Sequence, residues 1–220
     1  MGGSLIVISG PSGVGKGTVV KRLLAEMPDL YISVSVTTRK PRPGEIPGKD
    51  YIFIDDKQFE EMVVNNQLLE WAYVHGHYYG TPKRQVFDKL AEGKTVILEI
   101  DMQGAMQVQR SVDDVVLIFL LPPSIKELAN RLDKRGTEDE EIRKLRVLRS
   151  LQELDYIVDY DFMVLNEDLD VAVQSIKNII NMSKWVVTRG RARYLINKLK
   201  NGGVIDYEDF DFNKFKEGER

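Results

Sequence analysis

The stretch GPSGVGKGT at residues 10–18 restricts the fold of this 220-residue chain more than any other part of it. It follows the apolar run Leu5-Ile6-Val7-Ile8 and opens a helical pattern that begins at Val19. A strand, a glycine-rich turn and a helix in that order form a cradle for nucleotide phosphates. Gly10, Gly13, Gly15 and Gly17, set among Pro11, Ser12 and Val14, let the backbone curl so that successive N–H groups point inward. The helix terminus adds partial positive charge, and Lys16 supplies a full one for the β- and γ-phosphates. The usual pattern places Ser or Thr directly after the lysine, where its hydroxyl meets Mg²⁺. Here Gly17 intervenes and the hydroxyl is that of Thr18, which leaves the direct metal ligand undefined. The ligand implied is a nucleoside triphosphate, and a plain glycine-rich hairpin fits the flanking pattern poorly.

Composition removes several classes of function. The length suits one domain with insertions, and 43% hydrophobic residues supply a real core. No apolar run approaches the ~20 residues of a bilayer span. Leu5–Ile8 reads as the first strand rather than a signal peptide, and Ile6 stands where a myristoylation pattern needs Ser or Thr. A cytoplasmic protein without a membrane partner is expected. Cysteine is absent, so disulfides and thiolate metal sites are excluded, and two histidines, His75 and His77, make a histidine metal centre a poor expectation. The net charge of −3 gives no sign of a nucleic-acid binder.

Short apolar runs alternate with amphipathic stretches, which predicts a parallel sheet flanked by helices. The expected strands are Leu5–Ser9, Ile32–Val36, Thr95–Ile100, Val115–Leu121 and Phe162–Leu165. Helical patterns occupy Val19–Met27, Lys57–Asn65, Pro82–Ala91, Gln103–Gln109, Ser124–Asp133, Glu140–Asp155 and Val171–Val187. Right-handed crossovers then set the glycine-rich loop at the carboxyl edge of the sheet.

Two segments break the alternation. Residues 33–81 carry SVTTRKPRPGE at 35–45, an extended stretch with Arg39, Lys40 and Arg42, and an aromatic set including Tyr51, Trp71, Tyr78 and Tyr79. Read alone, the cations make either a phosphate clamp or a basic surface loop, and the aromatics either a contact surface or core. The second segment, Arg131–Glu153, has Gly136 as a helix break and then Arg143, Arg146 and Arg149 at three-residue spacing. It reads as a cationic lid or as a solvated helix paired with its own acids.

Together these residues closely resemble guanylate kinase, the P-loop family that phosphorylates GMP with ATP. The resemblance covers about Leu5 to Met182. It rests on GPSGVGKGT at 10–18, SVTTRKPRPGE at 35–45, GKDY at 48–51, EW at 70–71, YYGT at 78–81, EIDMQG at 99–104 and RGTE at 135–138. It implies an α/β P-loop parallel sheet flanked by helices, with a GMP-binding insertion at 33–81 and a helical lid at 124–155. The core is then 1–32, 82–123 and 156–188, followed by a C-terminal basic helix and acidic tail at 189–220. The resemblance assigns Ser35, Arg39, Arg42, Glu45, Tyr51, Glu70, Tyr79, Thr81, Glu99 and Asp101 to GMP. On the ATP side it assigns residues 10–18, Arg131 and Asn166. Lys16, Arg39, Arg135 and Arg146 are the expected catalytic cations, Mg²⁺ accompanies ATP, and dGMP is a further acceptor. The family often has Asp where this chain has Glu99.

Carboxylates suit guanine because its N1–H and N2 amino group are donors, whereas adenine presents an unprotonated N1. The rival readings are a kinase for AMP or dTMP, a non-enzymatic phosphopeptide-binding module and a switch GTPase. The Glu70/Asp101 pair argues against the first. Retained Lys16, Arg135 and Arg146 argue against the second, and the missing N-K-x-D motif against the third. The basic run Lys184, Arg189, Arg191, Arg193, Lys198 and Lys200, with the acidic tail after it, leaves a monomer and a homodimer both open.

Overall fold

Leu5–Ser9 (β1) is buried at every position, as a strand is when helices cover both faces of its sheet. Its side chains alternate between two cores: Ile6 and Ile8 enter one, Leu5 and Val7 the other. The computed structural model describes residues 3–74, 76–133, 147–148, 150–186 and 188–205. Leu30–Ile32 (β2), Thr95–Glu99 (β7), Val115–Leu121 (β8) and Phe162–Leu165 (β9) join β1 in an all-parallel sheet of order β2-β7-β1-β8-β9. Helices Lys16–Glu26 (α1) and Leu169–Met182 (α6) cover one face through Val19, Val20, Leu23, Ile176 and Ile180. Lys83–Ala91 (α3) and Met102–Ser111 (α4) cover the other through Val86, Ala105 and Val108. The chain leaves β1 toward one side and returns to β8 on the other, so the 10–18 loop lies where the winding reverses. Open parallel sheets hold their ligands there.

A second sheet of order β4-β3-β6-β5 is built from Val36–Thr37 (β3), Ile52–Phe53 (β4), Leu68–Val74 (β5) and His77–Pro82 (β6). Asp55 and Gln58 form a reciprocal capping box that starts Asp56–Val64 (α2), whose Phe59 packs with Val36 and Leu68. Ile125–Asp133 (α5) and Arg189–Lys200 (α7) are two further helices.

Several expected boundaries shift for identifiable reasons. The strand expected over Ile32–Val36 is two strands in two sheets, β2 ending at Ile32 and β3 starting at Val36. Between them the Val34 N–H (2.5 Å) and the Ser33 hydroxyl (2.8 Å) both donate to Gln85 Oε1 on α3, which turns the chain out of the core sheet. The helix expected over Val171–Val187 ends at Met182 and continues as a 3₁₀ turn, Ser183–Trp185. The end of the expected Glu140–Asp155 helix merges into a 3₁₀ turn at Leu154–Asp159, and much of its length lies outside the described residues. Helix α7 is held at its start, where Thr188 donates to Asp114 and Arg193 reaches Asp113 at 2.7 Å.

One side chain ties the two sheets together. Gln107 on α4 accepts from the Trp71 N–H at 3.2 Å and donates to the Trp71 carbonyl at 2.7 Å, so its amide pairs with β5 as a neighbouring strand would. Gln107→Ala removes both bonds and leaves an edge peptide to water. It is expected to lower unfolding free energy by about 1 kcal/mol, read from urea denaturation. An unchanged midpoint would show that the sheets are joined by apolar packing alone.

Candidate active site

The phosphate loop is shaped by positive backbone dihedrals and close neighbours. Gly15 has φ +100°, and a Cβ there would stand 2.7 Å from the side-chain nitrogen of Asn166. That nitrogen donates to the Val14 carbonyl at 2.7 Å from the end of β9. Arg131 on α5 adds Nη1 bonds to the carbonyls of Asn166 (3.0 Å) and Val14 (3.3 Å), and its Nε binds Glu127 at 2.9 Å. Arg131 and Asn166 therefore brace the loop from outside. Lys16 Nζ folds back onto the Gly10 carbonyl at 2.6 Å and the Pro11 carbonyl at 3.3 Å. The Ser12 N–H, one of the loop's inward donors, meets Glu153 Oε2 at 3.2 Å. Thr18 is exposed on the first turn of α1, and Glu99 lies beside Gly17.

Beside the loop opens a cleft lined by Lys16, Ser35, Tyr51, Glu70, Tyr79, Glu99 and Asp101, with Ala72, Val74 and Ile100. It lies between the carboxyl edge of the core sheet and the second sheet. Seven expected site residues, drawn from segments 16, 35–51, 70–79 and 99–101, thus meet on one surface. The aromatics divide by strand alternation. Tyr79 faces Tyr51 at a centroid distance of 5.9 Å on the cleft side, while Tyr78 stacks on Phe59 at 5.0 Å on the opposite face. Strand alternation thus sends Tyr79 to the cleft and Tyr78 to the packing against Phe59.

Arg39 and Glu45 lie next to this surface and form a unit. Arg39 is 8% exposed; its Nη2 and Nη1 reach the two Glu45 oxygens at 2.8 and 3.0 Å, and its Nε donates to the Tyr79 hydroxyl at 3.1 Å. Its guanidinium carbon stands 5.2 Å from the Tyr51 ring centroid. The Glu45 hydrogen bonds hold the guanidinium charged, and Arg39 in turn holds the Glu45 carboxyl below the usual carboxylate range. Glu45 also accepts from the Arg42 N–H at 2.7 Å, while the Arg42 side chain is exposed. Arg135 and Arg146 lie outside the described residues.

Glu70 is the most unusual group in the cleft. It is 4% exposed on β5, and Oε1 accepts from the Thr81 hydroxyl at 2.6 Å. Burial pushes its pKa up to about 7; the Thr81 bond opposes that shift and the Asp101 carboxylate adds to it. Asp101 caps α4 by accepting from the Gly104 N–H at 2.8 Å. Sequence reasoning missed Gln107, Gln85 and Glu153, since a side chain that binds a distant backbone has no local pattern. It also passed over Gly104, although that residue closes the EIDMQG motif. Among the described residues no cluster of three His, Asp or Glu gathers as a metal site, and no helix is long and apolar enough to cross a membrane.

The raised pKa fixes the sign of a pH effect. Between pH 4.5 and 7 an unfolded chain loses the Glu70 proton while the folded protein keeps it. Stability therefore falls as pH rises through that window and levels above it. Glu70→Gln should remove a decline on the order of 3 kcal/mol, measured by urea unfolding at pH 4.5 and 7.5. Parallel profiles in the two proteins would contradict the burial of an ionisable Glu70.

Residues 2–183 match the family model described as guanylate kinase. The chain is 49% identical over 193 residues to the guanylate kinase of Caldanaerobacter subterraneus subsp. tengcongensis, spanning 88% of this chain and 94% of that protein. It is 46% identical over 204 residues to the guanylate kinase of Carboxydothermus hydrogenoformans, spanning 93% and 98%. The fold matches the crystal structure of guanylate kinase from Anaplasma phagocytophilum with a TM-score of 0.71 at 31% identity, over 93% of this chain and 98% of that one.

Proposed function

The chain belongs to the guanylate kinase family, and from that premise we propose that it transfers the γ-phosphoryl group of ATP to GMP, giving ADP and GDP, with dGMP as a further acceptor. The observation that carries this reading is the shared cleft. Lys16 of the phosphate loop and the acids Glu70 and Asp101 line one opening. A phosphate donor and a purine acceptor bound there would meet at their phosphates.

In this reading residues 10–18 hold the ATP phosphates, with Arg131 and Asn166 on the ATP side. Ser35, Arg39, Arg42, Tyr51 and Tyr79 hold the GMP phosphate, and Glu70, Thr81 and Asp101 face guanine. Glu45 acts through Arg39, which it grips with both oxygens. The acceptor phosphate oxygen attacks the γ-phosphorus in line while the bond to the ADP oxygen breaks, so the protein's work is positioning and charge neutralisation. Lys16 leaves the Gly10 carbonyl for the phosphates, and Arg39 lies on the acceptor side. Arg135 and Arg146, outside the described residues, are the further cations this reading assigns to the triphosphate, within the segment 124–155 expected as a lid. The core is 1–32, 82–123 and 156–188, the GMP-binding insertion 33–81, and the C-terminal extension 189–220.

The donors near the loop, the Thr18 hydroxyl and the Glu99 carboxylate, suit a Mg²⁺ that arrives on ATP and keeps most of its waters better than a resident ion in a protein cage. That ion would polarise the phosphoryl oxygens. Glu99 would orient its waters. The proposed compartment is the cytoplasm, and the proposed partners are ATP and GMP, with neither nucleic acid nor membrane, in a monomer or a homodimer.

Two variants test the two ends of the cleft separately. Lys16→Ala should lower kcat by roughly 100-fold or more with an unchanged melting temperature. Glu70→Gln should raise KM for GMP about tenfold and leave KM for ATP alone, since an amide gives up the carboxylate's charge-assisted bond. Near-normal kcat in the first, or near-normal GMP saturation in the second, would break the corresponding assignment.

A further inference from the structure

We infer that Gly104 is a specificity-determining residue: the absence of its side chain makes the space in which the Glu70 carboxylate sits, and its N–H fixes the neighbouring Asp101. The inference deepens the proposed guanine-facing role of Glu70 and rests on it. Gly104 is buried in the first turn of α4. A Cβ built on it would overlap Glu70 Oε2 and stand 3.0 Å from the Glu70 carboxyl carbon and 3.4 Å from its Cγ. The other carboxylate oxygen is occupied by the Thr81 hydroxyl. Glu70 is therefore wedged between β6 and α4.

Neither wall can yield easily. The residue after Glu70, Trp71, is bonded twice to Gln107, which stands one turn beyond Gly104 on the same helix. The strand and the helix are thus fixed relative to each other within a few residues of the contact. An added methyl group cannot share the space with the carboxylate where it stands, so Glu70, held by Thr81 and 4% exposed, must shift from this position. The backbone itself gives no reason for glycine here: Gly104 is not among the residues with positive φ, and alanine in a helix interior is favoured over glycine by about 1 kcal/mol. What requires glycine is the carboxylate beside it.

The same residue donates its N–H to Asp101 Oδ1 at 2.8 Å. One position thereby sets the placement of both acids, through a hydrogen bond to one and a vacant side-chain position beside the other. Recognition of paired donors on a purine depends on that placement, because a displaced acceptor leaves a buried donor unpaired. Gly104 touches no substrate in this account; it is a positioning residue.

The test is a double-mutant cycle with Gly104→Ala and Glu70→Ala, reading KM for GMP, KM for ATP, the GMP/AMP ratio of kcat/KM, and the melting temperature. Gly104→Ala should raise KM for GMP about tenfold, lower the GMP/AMP ratio and leave KM for ATP within about twofold. In the Glu70→Ala background the same change should add less than about twofold, since nothing remains to displace. An equal factor in both backgrounds, or equal damage to both KM values, would overturn the inference and assign Gly104 to the helix itself. Impaired Glu70→Ala beside an unimpaired Gly104→Ala would overturn the inference alone. Unaltered GMP saturation in Glu70→Ala would overturn the base-facing role of Glu70 and this inference with it. If Gly104→Ala does not fold, the double variant must fold and behave as Glu70→Ala; a double variant that also fails overturns the inference.

Discussion

The burial of β1 on both faces is the constraint from which the rest of the molecule follows. Its residues contribute to two separate cores, so the strand can neither slip in register nor twist without disturbing helices above and below. The chain emerges from its carboxyl end directly into Gly10 and the phosphate loop. A loop that must aim backbone N–H groups at a ligand needs such an anchor, because interior packing tolerates little displacement. Its far side is fixed as well: Asn166, at the end of β9, and Arg131, on α5, both bind the Val14 carbonyl. The cradle thus hangs from three elements, β1, β9 and α5.

The other side of the cleft is built differently. Its sheet is small, with β3 and β4 of two residues each, and it owes its position to hydrogen bonds as much as to apolar area. Gln107 pairs with the backbone of its edge strand β5, Gln85 accepts from Ser33 and Val34 where the chain enters β3, and Gly104 lets a carboxylate approach the helix that Gln107 clamps. Charges follow the same division. Arg39 is balanced internally by Glu45, while Glu70 and Asp101 stand as neighbouring acids, with burial pushing the Glu70 pKa up to about 7. A buried acid poised in that way is costly for folding. A ligand that donates two hydrogen bonds to it would offset that cost by favouring its ionised form.

How much of this could be read from residues alone depended on whether the cause was local. The phosphate loop and β1, β8 and β9 were legible because a glycine pattern and uninterrupted apolar runs carry their own signal. Cleft residues such as Ser35, Tyr51, Glu70, Tyr79 and Asp101 came from motif resemblance, and the fold brings them to one surface. The second sheet was not legible: two-residue strands have no periodicity, and the exit of the chain at Ser33–Val34 depends on Gln85, 51 and 52 positions away. Gly104 was visible only as a letter in a motif. Its reason, a carboxylate from another strand, exists only after folding.

The central claim is that one cleft joins an ATP cradle to a guanine-reading pair of acids. It is tested most directly by coupled assay of ADP release with GMP, dGMP, AMP and dTMP as acceptors under otherwise identical conditions. The account predicts efficient turnover with GMP, weaker turnover with dGMP, and kcat/KM for AMP and dTMP lower by a factor on the order of 100 or more. Comparable turnover of AMP or dTMP, or ADP release that no acceptor stimulates, would contradict it.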